Sequence, residues 1–336
     1  MADSVLFLSE VVELDAAQSI VVDKFCKEKG FSRRKFLGYA AAMAGVLSLP
    51  KMPFAARIAA AVATAPRLPV VWLNGQDCNG NIESFLKAPN PTFTDILLSK
   101  LDIEYLELVM APGGAAAEKS LDDLVAKGGY VTVIEGSIPT GAGGAFCVIN
   151  GEAFTDRVRR VAANSLAVIA VGACAADGGL PHATGGVTGA VGCREFLGAG
   201  PTVVSLPGCP SNGVNIAGVF VQYLALQSWP EVDQLDRPLF AYGAEIHGNC
   251  TRKPHFDAGE FVLAWGDEGH QKGWCLRHMG CQGPETHTNC PTRKWNGGQS
   301  WPVDSGAPCF GCANPDFWDV PGGFFAPRSL TLPGPA

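Results

Sequence analysis

Six cysteines and one histidine crowd the last third of the chain: His247, Cys250, Cys275, Cys281, Cys290, Cys309 and Cys312 fall within 66 positions. From about Asp236 the segment is otherwise turns, Trp, Gly and Pro, with little to build a core of its own. Such a segment needs cross-links, supplied by disulfides or by metal–thiolate bonds. Disulfide frameworks belong to short secreted chains with little core, whereas this chain has 336 residues and an ordinary strand pattern upstream. Thiolate is also the ligand that holds iron–sulfur clusters. These cysteines therefore read as ligands of metal clusters.

From Leu68 short, β-branched, apolar runs alternate with helical segments. Residues 69–73, 103–110, 130–135, 166–172 and 202–206 read as strands; 93–101, 120–127, 152–163 and 214–227 read as helices. Strands that are apolar almost throughout suit a sheet covered on both faces. The expected fold is α/β: a flavodoxin-like, doubly wound parallel sheet, followed by an irregular cluster-binding domain. Cys78, Cys174 and Cys209 follow the first, fourth and fifth strands, and Glu135-Gly136 ends the third. Ligands in open α/β sheets sit outside the carboxyl ends of strands, so these three thiols are expected to converge on one edge. Cys26, Cys147 and Cys193 lack such a setting and read as structural.

Composition narrows the function. Charged residues make up only 17% of the chain and hydrophobic ones 47%, which suggests surface hidden against a partner. A net charge of −7 gives no basic footprint for nucleic acid. No Gly-x-Gly-x-x-Gly follows the first strand and no Walker-type phosphate loop occurs, so nucleotide binding lacks support. No apolar run reaches 18 residues, and 329–336 offers no anchor helix.

Near the N-terminus, Ser32-Arg33-Arg34-Lys35-Phe36-Leu37 precedes a mild apolar run over 38–49 and an Ala-rich stretch over 55–65. Adjacent arginines before Phe-Leu resemble a twin-arginine export signal. The long segment ahead of them favours a leader that is retained. Two placements follow: cytoplasmic or membrane-associated with the leader in place, or exported to the periplasmic side. The expected division is 1–66 as an N-terminal segment, 67–235 as the flavodoxin-like domain, and 236–336 as the cluster domain.

Spacing in the last third suggests two sites. His247-x-x-Cys250 with Cys275-x5-Cys281 supplies one nitrogen and three sulfurs, a set that tetrahedral zinc would also accept. Cys290 with Cys309-x-x-Cys312 supplies three sulfurs, which suit zinc poorly but suit a three-iron cluster.

Six stretches, in order, carry a resemblance to the small subunit of nickel–iron hydrogenases: VVWLNGQDC (70–78), GACA (172–175), PGCP (207–210), HGNC (247–250) with HFDAGEF (255–261), GWCLRHMGCQGPETHTNCPTRKWN (273–296), and WPVDSGAPCFGCANPDFWD (301–319). The resemblance implies a proximal 4Fe–4S cluster on Cys78, Cys174 and Cys209. It implies a medial 3Fe–4S cluster on Cys290, Cys309 and Cys312, with Pro302 where a fourth thiolate might otherwise stand. A distal 4Fe–4S cluster would use His247, Cys250, Cys275 and Cys281. The Ni–Fe centre would lie on an obligate large subunit, with a dimer of heterodimers compatible and the electron acceptor unspecified. One departure matters. The family has Cys-x-x-Cys after the first strand, and this chain has Cys78-Asn79-Gly80-Asn81. Asp77 is the foremost replacement ligand, ahead of Asn81 or no protein ligand, as in the actinobacterial-type, oxygen-insensitive subgroup. The implied function is electron relay from hydrogen oxidation through the three clusters. Glu83, five residues after Cys78, reads as a helix-start acid rather than a proton exit. Two readings from other classes remain: a subunit related to respiratory complex I, and a zinc-stapled binding module.

Overall fold

The computed structural model describes residues 12–49, 51–88 and 99–331. In chain order the principal elements are α1 (Ala16–Lys29), α2 (Arg33–Val46), α3 (Lys51–Thr64), β1 (Leu68–Asn74), α4 (Gly80–Leu86), β2 (Leu101–Leu106), α5 (Ala115–Lys127), β3 (Val131–Glu135), α6 (Phe154–Ala162), β4 (Val168–Val171), α7 (Gly172–Asp177), β5 (Val203–Leu206) and α8 (Gly213–Leu226). The strands form one parallel sheet in the order β2-β1-β3-β4-β5. That is the flavodoxin-like, doubly wound order expected from the sequence. Every residue of β3, β4 and β5 is buried, which explains their unbroken apolar pattern.

Two cores flank the sheet. On one face α5 and α6 bury Leu121, Leu124, Phe154, Val158 and Val161 against Val71, Leu73 and Ile134. On the other, α4 and α8 share a core with α1, α2 and α3. The segment resembling an export signal is thus a helical layer over the sheet. Helix α1 opens on a capping box, in which Asp15 Oδ1 accepts from Gln18 N at 2.8 Å and Gln18 Oε1 accepts from Asp15 N at 3.1 Å. It closes on Gly30, left-handed at φ 71°. Arg33 pairs with Asp23 and donates to Ser19 Oγ at 3.0 Å. Phe36 is fully buried, its ring 5.1 Å from that of Phe25.

Some boundaries differ from the sequence reading. Strand β2 stops at Leu106 rather than 110, because Val109 and Met110 fold their N–H groups back onto the Leu106 carbonyl, at 3.2 and 3.0 Å. Of the helix expected over 93–101, residues 93–98 lie outside the described residues, and Leu101 instead starts β2. Helix α5 begins five residues before its expected start of 120, at Ala115, on a Gly114 N-cap.

Beyond Tyr242 the described chain has only one-turn helices. A small core of Ile246, Val262, Leu276, Met279, Trp301 and Val303 encloses Cys309. The buried Arg277 guanidinium forks onto Glu285 and also donates to the carbonyls of Cys281 and Ser329. No helix among the described residues is long and apolar enough to cross a membrane.

Candidate metal centres

Sheet geometry brings Cys78, Cys174 and Cys209 to one edge. Each lies just past the carboxyl end of a strand: Cys78 after β1, Cys174 in α7 after β4, and Cys209 after β5. A Cβ built on Gly80 would stand 3.2 Å from Cys78 Sγ and 3.6 Å from the Pro210 ring, so the first and third loops meet there. Burial pushes the Cys174 thiol up to about 12, and the neighbouring Cys209 and Cys78 add to this, against a hydrogen bond from Leu180. Cys78 and Cys209 are exposed, so this edge of the chain opens outward.

Cys290, Cys309 and Cys312 line one cavity of about 570 Å³, together with Pro302, Trp301 and Phe310. Pro302 therefore shares a cavity wall with these three cysteines. Burial drives the Cys309 thiol well above its ordinary value, and the charges of Cys281 and Cys312 act in the same direction.

His247, Cys250, Cys275 and Cys281 line a second cavity with Ile246, Phe256 and Val303. His247 is buried, and its Nε2 has no hydrogen-bond partner. Desolvation lowers its pKa, keeping the imidazole neutral. A buried neutral imidazole with an unused ring nitrogen, facing three thiols, fits a metal-ligating role. Among the described residues, no three His, Cys, Asp or Glu side chains converge closely enough to hold a single metal ion. Zinc would draw its donors to about 2.3 Å from one centre.

The three sets adjoin one another. Cys209 also lines the larger cavity, beside Cys290, Cys309 and Cys312, so the sheet edge borders it. Gln282, next to Cys281, donates from Nε2 to the Phe310 carbonyl at 2.7 Å, and Ile246 lines both cavities, so the larger cavity adjoins the histidine site. Cys26 and Cys193 are buried in the two sheet cores, and Cys147 packs against the second. Glu83 lies in the first turn of α4 and pairs with exposed Lys87 at 3.1 Å.

At the first loop, Asp77 is partly buried. Its Oδ1 accepts from Asn79 N at 2.8 Å and its Oδ2 from Asn74 Nδ2 at 3.1 Å. Burial raises its carboxyl pKa and these donors oppose the rise. Asn81 is more deeply committed: its Nδ2 donates to Glu135 Oε1 at 3.2 Å and its Oδ1 accepts from Ser211 N at 2.8 Å.

From the sequence, Glu135 stands out only as a strand end. Fully buried, it accepts from Trp72 Nε1 at 3.0 Å, Asn81 N at 2.8 Å and Ile82 N at 3.2 Å. It thereby satisfies orphan donors in the first turn of α4. An acid ending an otherwise apolar buried strand is the signal that could have found it, since a buried carboxylate needs donors.

Comparisons with known proteins agree with this layout. The family model for the C-terminal part of the NiFe/NiFeSe hydrogenase small subunit matches residues 242–325. The family "NADH ubiquinone oxidoreductase, 20 Kd subunit" matches 78–223, the α/β half. The Hydrogenase-2 small chain of Escherichia coli K12 is 42% identical over 84% of this chain and 76% of its own length. The uptake hydrogenase small subunit of Azotobacter vinelandii is 40% identical over 91% of this chain and 85% of its own. Among solved structures, the NiFeSe-hydrogenase of Dm. baculatum superposes with a TM-score of 0.73 at 33% identity, covering 79% of this chain and 100% of that one. The actinobacterial-type NiFe-hydrogenase of Ralstonia eutropha H16 gives 0.71 at 25% identity, covering 79% and 84%.

A flavodoxin-like sheet edged by thiols and joined to an irregular, cysteine-rich domain defines an electron-transfer subunit of an oxidoreductase. The chain belongs to the small subunits of the NiFe hydrogenases. The complex I kinship is confined to the α/β half, because the second half matches the hydrogenase family.

Proposed function

We propose that this chain takes electrons from hydrogen oxidation at a Ni–Fe centre on an obligate large subunit and passes them outward along three donor sets. The proximal set is Asp77, Cys78, Cys174 and Cys209; the medial set is Cys290, Cys309 and Cys312; the distal set is His247, Cys250, Cys275 and Cys281. The observation that carries this reading is their contiguity: Cys209 lines the cavity of the medial set, and Ile246 lines both that cavity and the one of the distal set. Bound there, two 4Fe–4S clusters and one 3Fe–4S cluster would supply one-electron carriers. The division at 235/236 assigns the proximal set to the α/β unit and the other two to the cluster unit, with 1–66 joining the former through a shared core.

Donors disposed around cavities, rather than closing on one point, suit a body larger than a single ion. Pro302 on the medial wall favours three irons there over four. Asn81 is buried with both ends of its amide engaged, whereas Asp77 is only partly buried and each carboxylate oxygen can accept further, which favours Asp77 as the fourth proximal ligand. The exposed thiols of Cys78 and Cys209 mark the edge that the large subunit would cover, across an obligate contact of roughly 2,000–5,000 Å².

Metal analysis and low-temperature EPR during a redox titration of the purified complex test the reading together. About eleven irons per chain are expected, with one three-iron signal in the oxidised state. Zinc without iron would overturn it, and about four irons would point to the complex I type.

A further inference from the structure

We propose that Asn81, which stands where the family carries a second proximal cysteine, is a positioning residue that locks the three cysteine loops of that site to one another. This rests on the proximal assignment above and adds a part that no ligand plays. Asn81 lies three residues after Cys78. Its Oδ1 accepts from the backbone N–H of Ser211, two residues after Cys209, at 2.8 Å. Its amide also fills the space beside Gly172, two residues before Cys174: a Cβ at Gly172, where φ is +89°, would fall 2.4 Å from Asn81 Nδ2. The Ser211 Oγ in turn accepts from Gly172 N at 3.1 Å, closing the circuit between the second and third loops. Glu135 holds the other side of Asn81, accepting from its backbone N at 2.8 Å and its Nδ2 at 3.2 Å.

A single planar amide therefore touches the loops of all three cysteines and the end of β3. A thiol at position 81 could not do this, since sulfur is a weak donor and a weak acceptor. The amide offers one strong acceptor to Ser211 and one strong donor to Glu135, and both are buried where an unmet partner is costly. Asparagine at this position thus supplies rigidity that a cysteine there would not. The three remaining thiolates are held in register from behind, which leaves the fourth position to a group on the open side of the loop.

The donor–acceptor pattern gives the test. In Asn81→Ala the Ser211 amide should exchange with solvent about tenfold to a hundredfold faster, as for loss of one buried hydrogen bond. The proximal EPR signal should change its line shape and midpoint. Asn81→Asp should be worse, because it sets a carboxylate against Glu135 and removes the donor. Adding Glu135→Gln should relieve the repulsion and recover part of the signal, the shortfall coming from the residue 81 N–H, which shares the Oε1 acceptor and loses it.

Two results would overturn the proposal. One is an Asn81→Ala protein with wild-type exchange at Ser211 and a wild-type proximal signal. The other is an Asn81→Asp protein that keeps the wild-type signal unaided, since an oxygen ligand survives that change and a brace does not. An iron-free wild-type protein would instead defeat the proximal assignment, and exchange at Ser211 and Ile82 would still decide the brace.

Discussion

The backbone N–H of Gln282 meets the carbonyl of Cys309 at 2.8 Å. With Gln282 Nε2 donating to the Phe310 carbonyl at 2.7 Å, one residue ties the loop of Cys281 to the loop of Cys309 at two points. The two sites therefore share a rigid wall. Hydrogen bonds from a single glutamine supply this tie in a segment whose helices are one turn long.

His247 should be replaceable in kind but not removable. Its Nε2 is buried without a partner, so His247→Ala leaves three thiols and a gap. We expect loss of the distal signal, with up to about four irons fewer per chain by metal analysis. His247→Cys should retain the irons with a shifted distal potential.

Pro302 faces the same cavity as Cys290, Cys309 and Cys312. Pro302→Cys should add a fourth thiolate and convert the medial site to a four-iron cluster. The oxidised three-iron EPR signal should disappear, and a new signal should appear on reduction.

Asp77→Ala should alter the midpoint and line shape of the proximal signal, because a carboxylate is a harder donor than a thiolate. Asp77→Asn should lie between the two, since its Oδ1 can still accept from Asn79 N. An unchanged proximal signal in both would remove Asp77 from the ligand set.

Asp177 makes a prediction in pH. Burial, foremost, and the nearby Asp316 charge push its carboxyl up to about 6, against a hydrogen bond from Gly179 N at 3.0 Å. The unfolded value is about 3.9, so the folded state binds more protons between the two values. Stability from this group therefore falls as pH rises from about 4 to 6 and stays low above. Asp177→Asn should raise Tm at pH 7.5 by an amount equivalent to roughly 1–2 kcal/mol, allowing for partial screening. It should also flatten the Tm profile between pH 4 and 6.

Phe36→Ala should cost about 3–5 kcal/mol, as expected for a buried aromatic, measured by denaturant unfolding. Phe36 is fully buried against the Phe25 ring. A leader that merely trailed from the fold would tolerate the change.

The sheet and the cysteine-bearing loops at its edge were legible because both rest on local patterns. The buried runs over 131–135, 168–171 and 203–206 are β-branched and apolar, and each cysteine of the sheet edge follows such a run. The helical layer α1–α3 was not legible. Helix α2 carries no strong stripe, because it buries residues around most of its circumference, Phe36 to Ala41 in succession. The Asn81 network was hidden for another reason. It joins residues 54 and 130 positions apart, and no periodicity or spacing rule connects such distant polar groups.

Arg293 lies three residues beyond Cys290, and its guanidinium reaches the carbonyl of Gly45 near the end of α2. Trimming the chain after α2 or α3 would strand a buried cation beside the middle thiol set. A cut near one end of the chain would thus be felt beside Cys290, through a contact that spans 248 positions.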